Sequence, residues 1–525
     1  MSLFERIFTD ERGARCAVLF DRREISYAEL RDETLRVREM LHALGVQRGD
    51  RVALMLSDSP EFIVSFVAII SLGAIAAPIN LALRREEQLF SLADCGAGVA
   101  ILESAVAFTL FQDAALPANL NDLVMVQRGG DETPEIAGLR VQFFETANPT
   151  TANEVVADSE VSDTDDAFIL YTSGSTGEPK GAVHTQADIC YTNQTYCQEV
   201  LKLRQGDRLF SSSRLPFAYG LGNAFTFPLL NGATTILCRE KPIPEIIARV
   251  FAHYRPTIFF GVPVVYRMLL ERYGKKGPTE IGTLDTGSLR LCISAGEALP
   301  AQLGEEFERT FGVQVLDGIG STEMLHMFMS NHDGDVRYGS SGRLLSGYAA
   351  RLIDHEGAET PVGEAGNLWI RGASAASRYW NRSESSAQTF VDGWVRTGDL
   401  YRCDEQGYWW HMGRSDDCFK SSGQWVSPVE VEGVLIRSDS IRAAAVVAGR
   451  DADGLACVCA FVVPADGYGP ETAERELRLE CETALPRFKQ PRRYIFMKEL
   501  PYTATGKVQR FKLREQLRAQ GSQTI

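Results

Sequence analysis

A cluster of hydroxyl-bearing residues and glycines lies at 171–181, directly after the apolar run 167–170. Its eleven residues include four Ser or Thr side chains, three glycines and Lys180. Glycines let backbone N–H groups approach an anion closely, hydroxyls add neutral donors, and a lysine adds a mobile positive charge. A strand that ends in such a loop is expected to bind a polyphosphate. The residues predicted to do so are Thr172, Ser173, Gly174, Ser175, Thr176, Gly177 and Lys180.

Two other interpretations of this loop fit its sequence less well. A Ser- and Gly-rich surface linker rarely follows a strand-like run or ends in Pro-Lys-Gly, as this segment does. A Walker-type loop requires Gly-Lys-Ser/Thr at the start of a helix. Here Glu178 and Pro179 separate Gly177 from Lys180, so the lysine is in the wrong place. The loop is therefore predicted to bind phosphate by the rules of another fold.

A second cluster, residues 317–323, follows the mostly apolar run 313–316 and ends in Ser-Thr-Glu. Thr322 is suited to bind a phosphate or acyl oxygen. Glu323 offers the hard carboxylate oxygen that Mg²⁺ prefers. Taken alone, the cluster is more typical of a capped turn than of a binding site.

Three further segments carry groups that suit a nucleotide or a carboxylate. The small-residue turn at 294–300 would let a flat base lie on the backbone. Asp399 offers an acceptor pair for the two hydroxyls of a ribose, and Arg414 follows downstream. A turn at 501–507 presents Lys507. An isolated Thr-Gly-Lys is usually a surface lysine on a β-turn, so Lys507 gains meaning only from the other segments.

Together and in this order, the five segments resemble the acyl-adenylate-forming superfamily of acyl-CoA and aryl-CoA ligases, luciferases and peptide-synthetase adenylation domains. The resemblance spans nearly the whole chain. Its most specific parts are 172–181, 396–399, 413–417 and 505–507, and a chance match to all four in the right order is very improbable.

The resemblance implies ATP, Mg²⁺ and coenzyme A as cofactors and a role for each segment. The loop 172–180 would hold the β- and γ-phosphates of ATP, with Thr322 near the α-phosphate and Glu323 on Mg²⁺. The backbone at 295–297 would face adenine. The further residues implied to bind the cofactor are Ala295, Gly296, Glu297, Asp317, Gly318 and Ile319, with Asp399 and Arg414 at the ribose.

Lys507 is the leading catalytic residue that the resemblance implies, beside Thr322, Glu323 and Lys180. It would bridge the substrate carboxylate and the α-phosphate. A carboxylate that attacks a phosphate brings two anions together, so a fixed cation between them stabilises the transition state.

The family also implies that one site serves two steps. The C-terminal domain would rotate about Asp416 after adenylation, so that Lys507 leaves and the loop 420–425 enters. Gly423 would line a narrow channel for the pantetheine arm of CoA, because glycine has no Cβ. The CoA thiol would then attack the acyl-adenylate and release AMP. The alternative for Asp416 and Asp417 is an ordinary turn or helix start.

The acyl pocket is the least determined part of the site. By resemblance, Tyr219 is an aromatic gate beside the carboxylate. The small residues around it, Ala218, Gly220 and Gly222, would leave a flat slot. The residues predicted to bind the acid are Ala218, Tyr219, Leu221, Phe260, Gly320, Leu325 and His326, with Gly296 and Gly318 beside them.

The segments 217–220 and 319–326 are most similar to the benzoate-CoA ligase branch. A benzoate, 2-aminobenzoate (anthranilate) or hydroxybenzoate is therefore the expected acid. His326 offers a donor or acceptor for a ring substituent, although a histidine satisfied within the fold is an equal alternative. No carboxylate lies at 217–222 to meet an ammonium, which argues against an α-amino acid substrate.

Periodicity predicts the elements that must position these residues. Residues 25–44 have helical spacing, 50–56 form a strand, and a helix follows through Leu72 before a turn at 73–78. The alternation of strand and helix recurs farther along and predicts a layered α/β body.

The predicted fold class is α/β, with a large N-terminal domain of layered α/β sheets plus a β-subdomain, and a small mobile C-terminal α+β domain. A chain of 525 residues is too long for one core. A strand-rich stretch ends near 414–417, and a new α/β pattern begins after it. We therefore place an adenylation domain at 1–414 and the C-terminal domain at 415–525.

The composition of the chain limits the kinds of partner that we expect it to bind. Lys and Arg total 54 against 69 Asp and Glu, a net charge of −15 that disfavours nucleic acid. The N-terminus lacks a charged-then-apolar leader, and polar or glycine residues interrupt the longest apolar stretch, 62–78, so we expect a cytoplasmic protein without membrane contact. The eleven cysteines and seven histidines show no disulfide or metal spacing.

Three functional hypotheses remain. The first is an aryl-CoA ligase that uses ATP and CoA. The second is an enzyme that loads the aryl group onto the phosphopantetheine of a carrier protein. The third is a nucleotide-binding protein without catalysis, against which the intact Lys507, Glu323, Asp399 and Lys180 weigh. A homodimer is also left open.

Overall fold

The secondary structure follows the pattern of buried residues along the chain. The computed structural model describes residues 1–112, 115–128, 136, 138–145, 161–172, 178–274, 283–421, 424–451, 455–502 and 508–519. The chain divides into two compact units. The first comprises Met1–Leu299, Leu303–Ala349 and Ile370–Val395, and the second comprises Pro300–Gln302, Ala350–Trp369 and Arg396–Ile525. The domain boundary at 414/415 stays a prediction.

The α-helices are α1 (Leu3–Ile7), α2 (Tyr27–Ala43), α3 (Pro60–Ser71), α4 (Arg85–Cys95), α5 (Ser104–Phe111), α6 (Gln186–Thr192), α7 (Ala218–Leu221), α8 (Phe227–Leu230), α9 (Pro244–Tyr254), α10 (Pro263–Tyr273), α11 (Ala301–Phe311), α12 (Ser383–Thr389), α13 (Pro428–Leu435), α14 (Pro470–Ala484) and α15 (Arg510–Ala519). Two 3₁₀ turns lie at Asp10–Arg12 and Thr322–Met324, and two π-helical segments lie at Asn193–Leu201 and Gly222–Thr226.

The strands are β1 (Cys16–Phe20), β2 (Arg23–Ser26), β3 (Arg51–Met55), β4 (Ile75–Pro78), β5 (Val99–Glu103), β6 (Asp122–Val126), β7 (Arg140–Phe143), β8 (Asp166–Thr172), β9 (Lys180–Thr185), β10 (Arg208–Ser211), β11 (Thr234–Ile236), β12 (Ile258–Gly261), β13 (Leu291–Ser294), β14 (Val315–Gly320), β15 (Met327–Ser330), β16 (Arg343–Leu344), β17 (Ala349–Ile353), β18 (Ala365–Arg371), β19 (Arg378–Tyr379), β20 (Phe390–Val391), β21 (Trp394–Cys403), β22 (Trp409–Arg414), β23 (Phe419–Ser421), β24 (Gln424–Val426), β25 (Ile441–Arg450), β26 (Ala456–Pro464) and β27 (Arg493–Phe496).

The first unit contains an eight-stranded sheet of order β19-β9-β8-β4-β3-β5-β6-β7. Strands β8, β4, β3, β5, β6 and β7 are parallel, whereas β9 returns antiparallel to β8. Parallel neighbours need crossover connections, which α3, α4 and α5 supply. Helix α3 is buried throughout Phe62–Ile70, because its residues share one apolar core with those of the sheet.

The turn expected at 73–78 is wrong. Gly73 turns the chain at φ 71°, but Ile75–Pro78 is strand β4, buried at all four positions between β3 and β8. The helix expected at 25–44 is confirmed as α2. It begins with a capping box in which the Ser26 hydroxyl accepts from Glu29 N and the Glu29 carboxylate accepts from Ser26 N.

A nine-stranded sheet of order β16-β15-β14-β13-β12-β10-β11-β1-β2 lies in the same unit. Its strands from β14 to β1 are parallel, so the segments after β10, β12, β13 and β14 all leave from one edge of the sheet. Ligands of parallel α/β sheets bind at this edge. Segments 212–222, 295–299 and 321–326 are therefore brought together there.

The second unit has a different arrangement of strands and helices. Strands β17, β18, β21 and β22 lie side by side in that order. The antiparallel pair β25 and β26, with β27 parallel to β26, packs with α13, α14 and α15 around two apolar clusters. The predicted α/β class with a smaller α+β part is confirmed, while the mobility of the C-terminal part stays a prediction.

The predictions on cysteine and on membranes can be compared with the described residues. All of the cysteines are free thiols. Within the described ranges, no helix is long and apolar enough to cross a bilayer.

Candidate active site

The predicted phosphate-binding segment lies between two paired strands. Thr172 ends β8, Lys180 begins β9, and the two are direct partners in the ladder. The structure thus places the first and last predicted phosphate ligands side by side at one end of the sheet. Ser173, Gly174, Ser175, Thr176 and Gly177 lie outside the described residues.

Asp94 stabilises this end of the sheet through hydrogen bonds and an ion pair. Its carboxylate accepts a hydrogen bond of 2.9 Å from the Tyr171 hydroxyl and pairs with Arg382 at 3.2 Å. Its backbone carbonyl accepts from the Trp380 indole N–H at 3.0 Å. Arg382 also pairs with Glu178 at 3.6 Å. The same arginine therefore connects Glu178, which follows the loop, with the Asp94 carboxylate.

Thr322 and Glu323 lie in the 3₁₀ turn that follows β14. Ser321 caps this turn, since its hydroxyl accepts from Met324 N at 3.2 Å. His184 Nε2 lies 2.8 Å from the Thr322 carbonyl oxygen, and its Nδ1 lies 2.8 Å from Asp188 Oδ2. The buried His184 therefore connects β9 to the backbone of the Thr-Glu pair.

Tyr379, on β19, links two of the predicted catalytic residues. Its hydroxyl donates a hydrogen bond of 2.6 Å to Oε1 of Glu323, and Lys180 Nζ lies 5.5 Å from the centre of its ring. The Glu323 carbonyl also accepts from Ala376 N at 2.7 Å. The structure thus brings Glu323 to the hydroxyl and Lys180 to the ring of one tyrosine.

The turn predicted to face adenine follows β13. Ala295 is buried, and Gly296 has φ 89°, a left-handed conformation that favours glycine. Asp317 lies opposite Ser294 in the ladder, and its Oδ2 accepts from Leu299 N at 3.3 Å, so it closes the turn around Glu297. Burial raises the pKa of Asp317 well above its ordinary value. Gly318, Ile319 and Gly320 continue β14 against β15.

Tyr219 lies in the short helix α7, and its hydroxyl is already engaged. It donates to the carbonyl oxygens of Gly261 and Ile293, both at 3.3 Å. Its ring meets the buried Phe260 edge to face, with the centroids 6.2 Å apart. Burial raises the pKa of Tyr219 well above its ordinary value, and the nearby Tyr196 and Asp317 add to that rise.

His326 lies in an aromatic cage. Its ring centre is 5.0 Å from that of Tyr196, 5.8 Å from that of Tyr219 and 4.6 Å from that of Phe227. Burial lowers the pKa of His326 to about 3, so its imidazole is neutral near neutral pH. Among the described residues neither ring nitrogen has a hydrogen-bond partner.

A strained turn aims His326 into this cage. His326 N donates to Met324 O at 2.8 Å, and Leu325 between them has φ 64°. This is a γ-turn with positive φ, a rare and strained conformation. Leu325 and Leu221 are buried in the main apolar core.

The glycines near Tyr219 do not open the predicted slot, so that expectation is wrong. A Cβ at Gly220 would stand 2.0 Å from the Arg214 carbonyl oxygen, and one at Gly222 would stand 2.5 Å from His326 Cδ2. A Cβ at Gly320 would stand 2.5 Å from the His326 carbonyl oxygen. These positions are small because other parts of the protein already fill the space.

The second unit contains the predicted ribose ligands. Asp399 on β21 and Arg414 on β22 are ladder partners and form an ion pair of 3.2 Å. Asp416 is exposed, whereas Asp417 pairs with Arg514 at 3.0 Å. Gly423 and Lys507 lie outside the described residues.

Two similarities decide the family. Residues 5–380 match the family described as AMP-binding enzyme, and residues 430–507 match the AMP-binding enzyme C-terminal domain. The chain belongs to the AMP-binding enzyme family. The benzoate–CoA ligase of Thauera aromatica is 40% identical to this AMP-binding enzyme over 507 residues, which are 96% of this chain and 93% of the relative.

Two solved structures extend the similarity to this AMP-binding enzyme. The anthranilate CoA ligase AuaEII in complex with anthranoyl-AMP has 36% identity and a TM-score of 0.91, with 99% of this chain and 98% of that chain covered. A benzoate CoA ligase from Burkholderia xenovorans LB400 has 37% identity and a TM-score of 0.85, with 98% and 100% covered. The predicted acyl-adenylate-forming fold is confirmed.

Sequence reasoning missed three residues of the site in this AMP-binding enzyme. Tyr379 and His184 carry no local motif. Their side chains hydrogen-bond to Glu323 and to the Thr322 carbonyl from the paired strands β19 and β9, which are distant in sequence. Asn223 directly follows Gly222 in the segment 217–222. It is fully buried, and neither atom of its amide has a hydrogen-bond partner among the described residues. A polar amide inside an otherwise apolar helix was the signal that could have identified it.

Proposed function

We propose that this protein is an aryl-CoA ligase that uses ATP, Mg²⁺ and CoA to convert a benzoate-type acid into its CoA thioester. The observation that supports this most is the 40% identity to a benzoate–CoA ligase along 96% of this chain and 93% of that enzyme. That similarity extends over nearly the whole length of both chains.

The first half-reaction forms an aryl-adenylate. A carboxylate oxygen of the acid attacks the α-phosphorus of ATP, the bond to the β-phosphate breaks, and pyrophosphate leaves. The segment from Thr172 to Lys180 holds the leaving pyrophosphate, and Thr322 lies at the α-phosphate. Lys507 places its cation between the two reacting anions. Mg²⁺, when bound, neutralises phosphate charge, and Glu323 supplies a carboxylate oxygen for it.

The second half-reaction transfers the aryl group. The CoA sulfur attacks the carbonyl carbon of the adenylate, the bond to AMP breaks, and AMP leaves with the electron pair. The domain 415–525 rotates relative to 1–414 about Asp416, so that Gly423 replaces Lys507 at the reacting centre. Asp399 and Arg414 hold the ribose.

The acyl pocket favours an acid with a neutral polar ring substituent. His326 and Asn223 each place unpartnered polar atoms in a buried, aromatic setting. An unsatisfied buried group costs about 1–3 kcal/mol, so a ligand that hydrogen-bonds to it gains affinity. The neutral imidazole and the amide can each donate and accept a hydrogen bond. An amino or hydroxyl group on the ring can pair with them, so 2-aminobenzoate and hydroxybenzoates fit better than plain benzoate.

A pyrophosphate-release screen tests this function. The purified protein with ATP and Mg²⁺ is given benzoate, the aminobenzoates, the hydroxybenzoates and short alkyl acids, each with and without CoA. We expect CoA-dependent turnover with the aryl acids only, and thioester in the product. Adenylate without thioester would instead favour a carrier protein as thiol recipient, and no aryl-acid-dependent pyrophosphate would refute the proposal. Cytoplasmic location and a homodimer stay predictions.

A further inference from the structure

Tyr379 is the one side chain in the described part of the structure that hydrogen-bonds the Glu323 carboxylate. Its hydroxyl donates to Oε1 at 2.6 Å, a short distance typical of a charge-assisted bond. The same ring has the Lys180 ammonium 5.5 Å from its centre, within the range of a cation–π contact. Tyr379 itself is only 6% exposed.

The surroundings of Tyr379 hold it rigidly. It pairs with Ala182 of β9, the strand that Lys180 begins. Its backbone N–H donates to the Ser386 hydroxyl at 2.9 Å, and its ring packs against Phe390 with the centroids 5.2 Å apart. A residue whose backbone is held by two contacts and whose ring is packed can orient a partner with little loss of entropy on binding.

The geometry leaves one oxygen of Glu323 for a ligand. Oε1 is bound to Tyr379, whereas Oε2 makes no hydrogen bond within the described residues. Those residues contain no group of three or more His, Cys, Asp or Glu side chains that could hold a metal alone. A single carboxylate oxygen suits Mg²⁺ that keeps waters and substrate phosphates as its other ligands.

We propose that Tyr379 is a positioning residue for adenylation. Its hydroxyl fixes Oε1 of Glu323, so that Oε2 is presented to nucleotide-bound Mg²⁺. Its ring face holds the Lys180 ammonium by a cation–π contact. The proposal rests on the proposed function, because it assumes an ATP site at these residues.

Tyr379→Phe tests the hydroxyl, since it keeps the ring beneath Lys180. We expect the Mg²⁺ concentration for half-maximal adenylation to rise about tenfold, while the rate at saturating Mg²⁺ stays within about threefold of wild type. Calorimetric ATP affinity should fall about tenfold with limiting Mg²⁺ and stay unchanged without the metal. Tyr27→Phe is the matched control, because it removes a buried hydroxyl that donates to Ala233 O at 2.7 Å elsewhere in the unit.

A double-mutant cycle with Glu323→Gln separates positioning from a general structural effect. If Tyr379 acts through the carboxylate, Tyr379→Phe adds no further change in Mg²⁺ dependence to Glu323→Gln. Additive effects, or an unchanged Mg²⁺ requirement in Tyr379→Phe, would overturn the proposal. Tyr379→Met serves if the phenylalanine variant folds poorly. ATP binding needs neither acid nor CoA, so failure here is distinct from failure to make an aryl-CoA.

Discussion

The imidazole of His326 occupies the space where Gly222 lacks a side chain. A Cβ on Gly222 would stand 2.5 Å from Cδ2 and 2.8 Å from Nε2 of His326. Gly222 has φ −62°, so its backbone would accept any residue, and the requirement for glycine comes from the His326 ring and from Phe227 Cε2 at 3.0 Å. The packing of the His326 ring therefore depends on a glycine at this position.

Gly222→Ala should displace His326 and destabilise the protein. Overpacking of a filled core costs about 1–3 kcal/mol, and the aryl-acid rate should fall with it. Gly433→Ala is the control: Gly433 is also helical, it is exposed, and nothing lies within 4 Å of its Cβ position. The control should gain about 0.5–1 kcal/mol from helix propensity. Urea unfolding of both variants measures these changes in the free energy of unfolding. Equal changes in the two variants would show that the contact between Gly222 and His326 relaxes without cost.

His326→Ala should change the choice of acid. Loss of the imidazole removes a partner for a ring substituent, so the ratio of kcat/KM for 2-aminobenzoate over benzoate should fall about tenfold. His253→Ala, an exposed histidine on α9, should leave the ratio unchanged. An unmoved ratio in His326→Ala would place this residue outside substituent recognition.

The buried His326 should also make stability depend on pH. Its pKa is about 3 in the native state against an ordinary value of 6.5. Between these values the unfolded chain binds a proton that the native state refuses, so the free energy of unfolding falls as the pH falls, by up to about 1.4 kcal/mol per pH unit. His326→Ala should lose this share, and the fall in its urea midpoint from about pH 7 to about pH 5 should be smaller than in wild type. Parallel pH profiles would mean that His326 titrates normally.

Lys507→Ala should separate the two half-reactions. Without the cation between carboxylate and α-phosphate, pyrophosphate release should fall by about a hundredfold or more. Thioester formation from supplied aryl-AMP and CoA should change little, because the proposed rotation removes Lys507 from the reacting centre before this step. Lys498→Ala, an exposed lysine in the same unit, controls for lost charge. Equal loss of both half-reactions would contradict this division of roles.

Local signals predicted much of this site, and non-local contacts account for what was missed. The strand that ends at Thr172 could be predicted because an apolar run directly precedes the glycines and hydroxyls in sequence. The loop 173–177 stays a prediction. Strand β4 was missed, since a short buried strand of Ile, Ala and Pro has no alternation. The glycines near Tyr219 were misinterpreted because the groups that fill their space are set by the folded backbone: the Arg214 carbonyl lies six residues before Gly220, and His326 comes from another segment. Tyr379 was missed for the same reason.

Transfer of oxygen isotope tests the central claim most directly. The enzyme is given ATP, CoA and the aryl acid with the highest turnover, in which both carboxylate oxygens are ¹⁸O. Mass spectrometry then measures the ¹⁸O content of the products. Attack of the carboxylate on the α-phosphorus predicts one ¹⁸O in AMP and one in the aryl-CoA. Unlabelled AMP, or thioester formed without AMP, would contradict an aryl-adenylate as the intermediate.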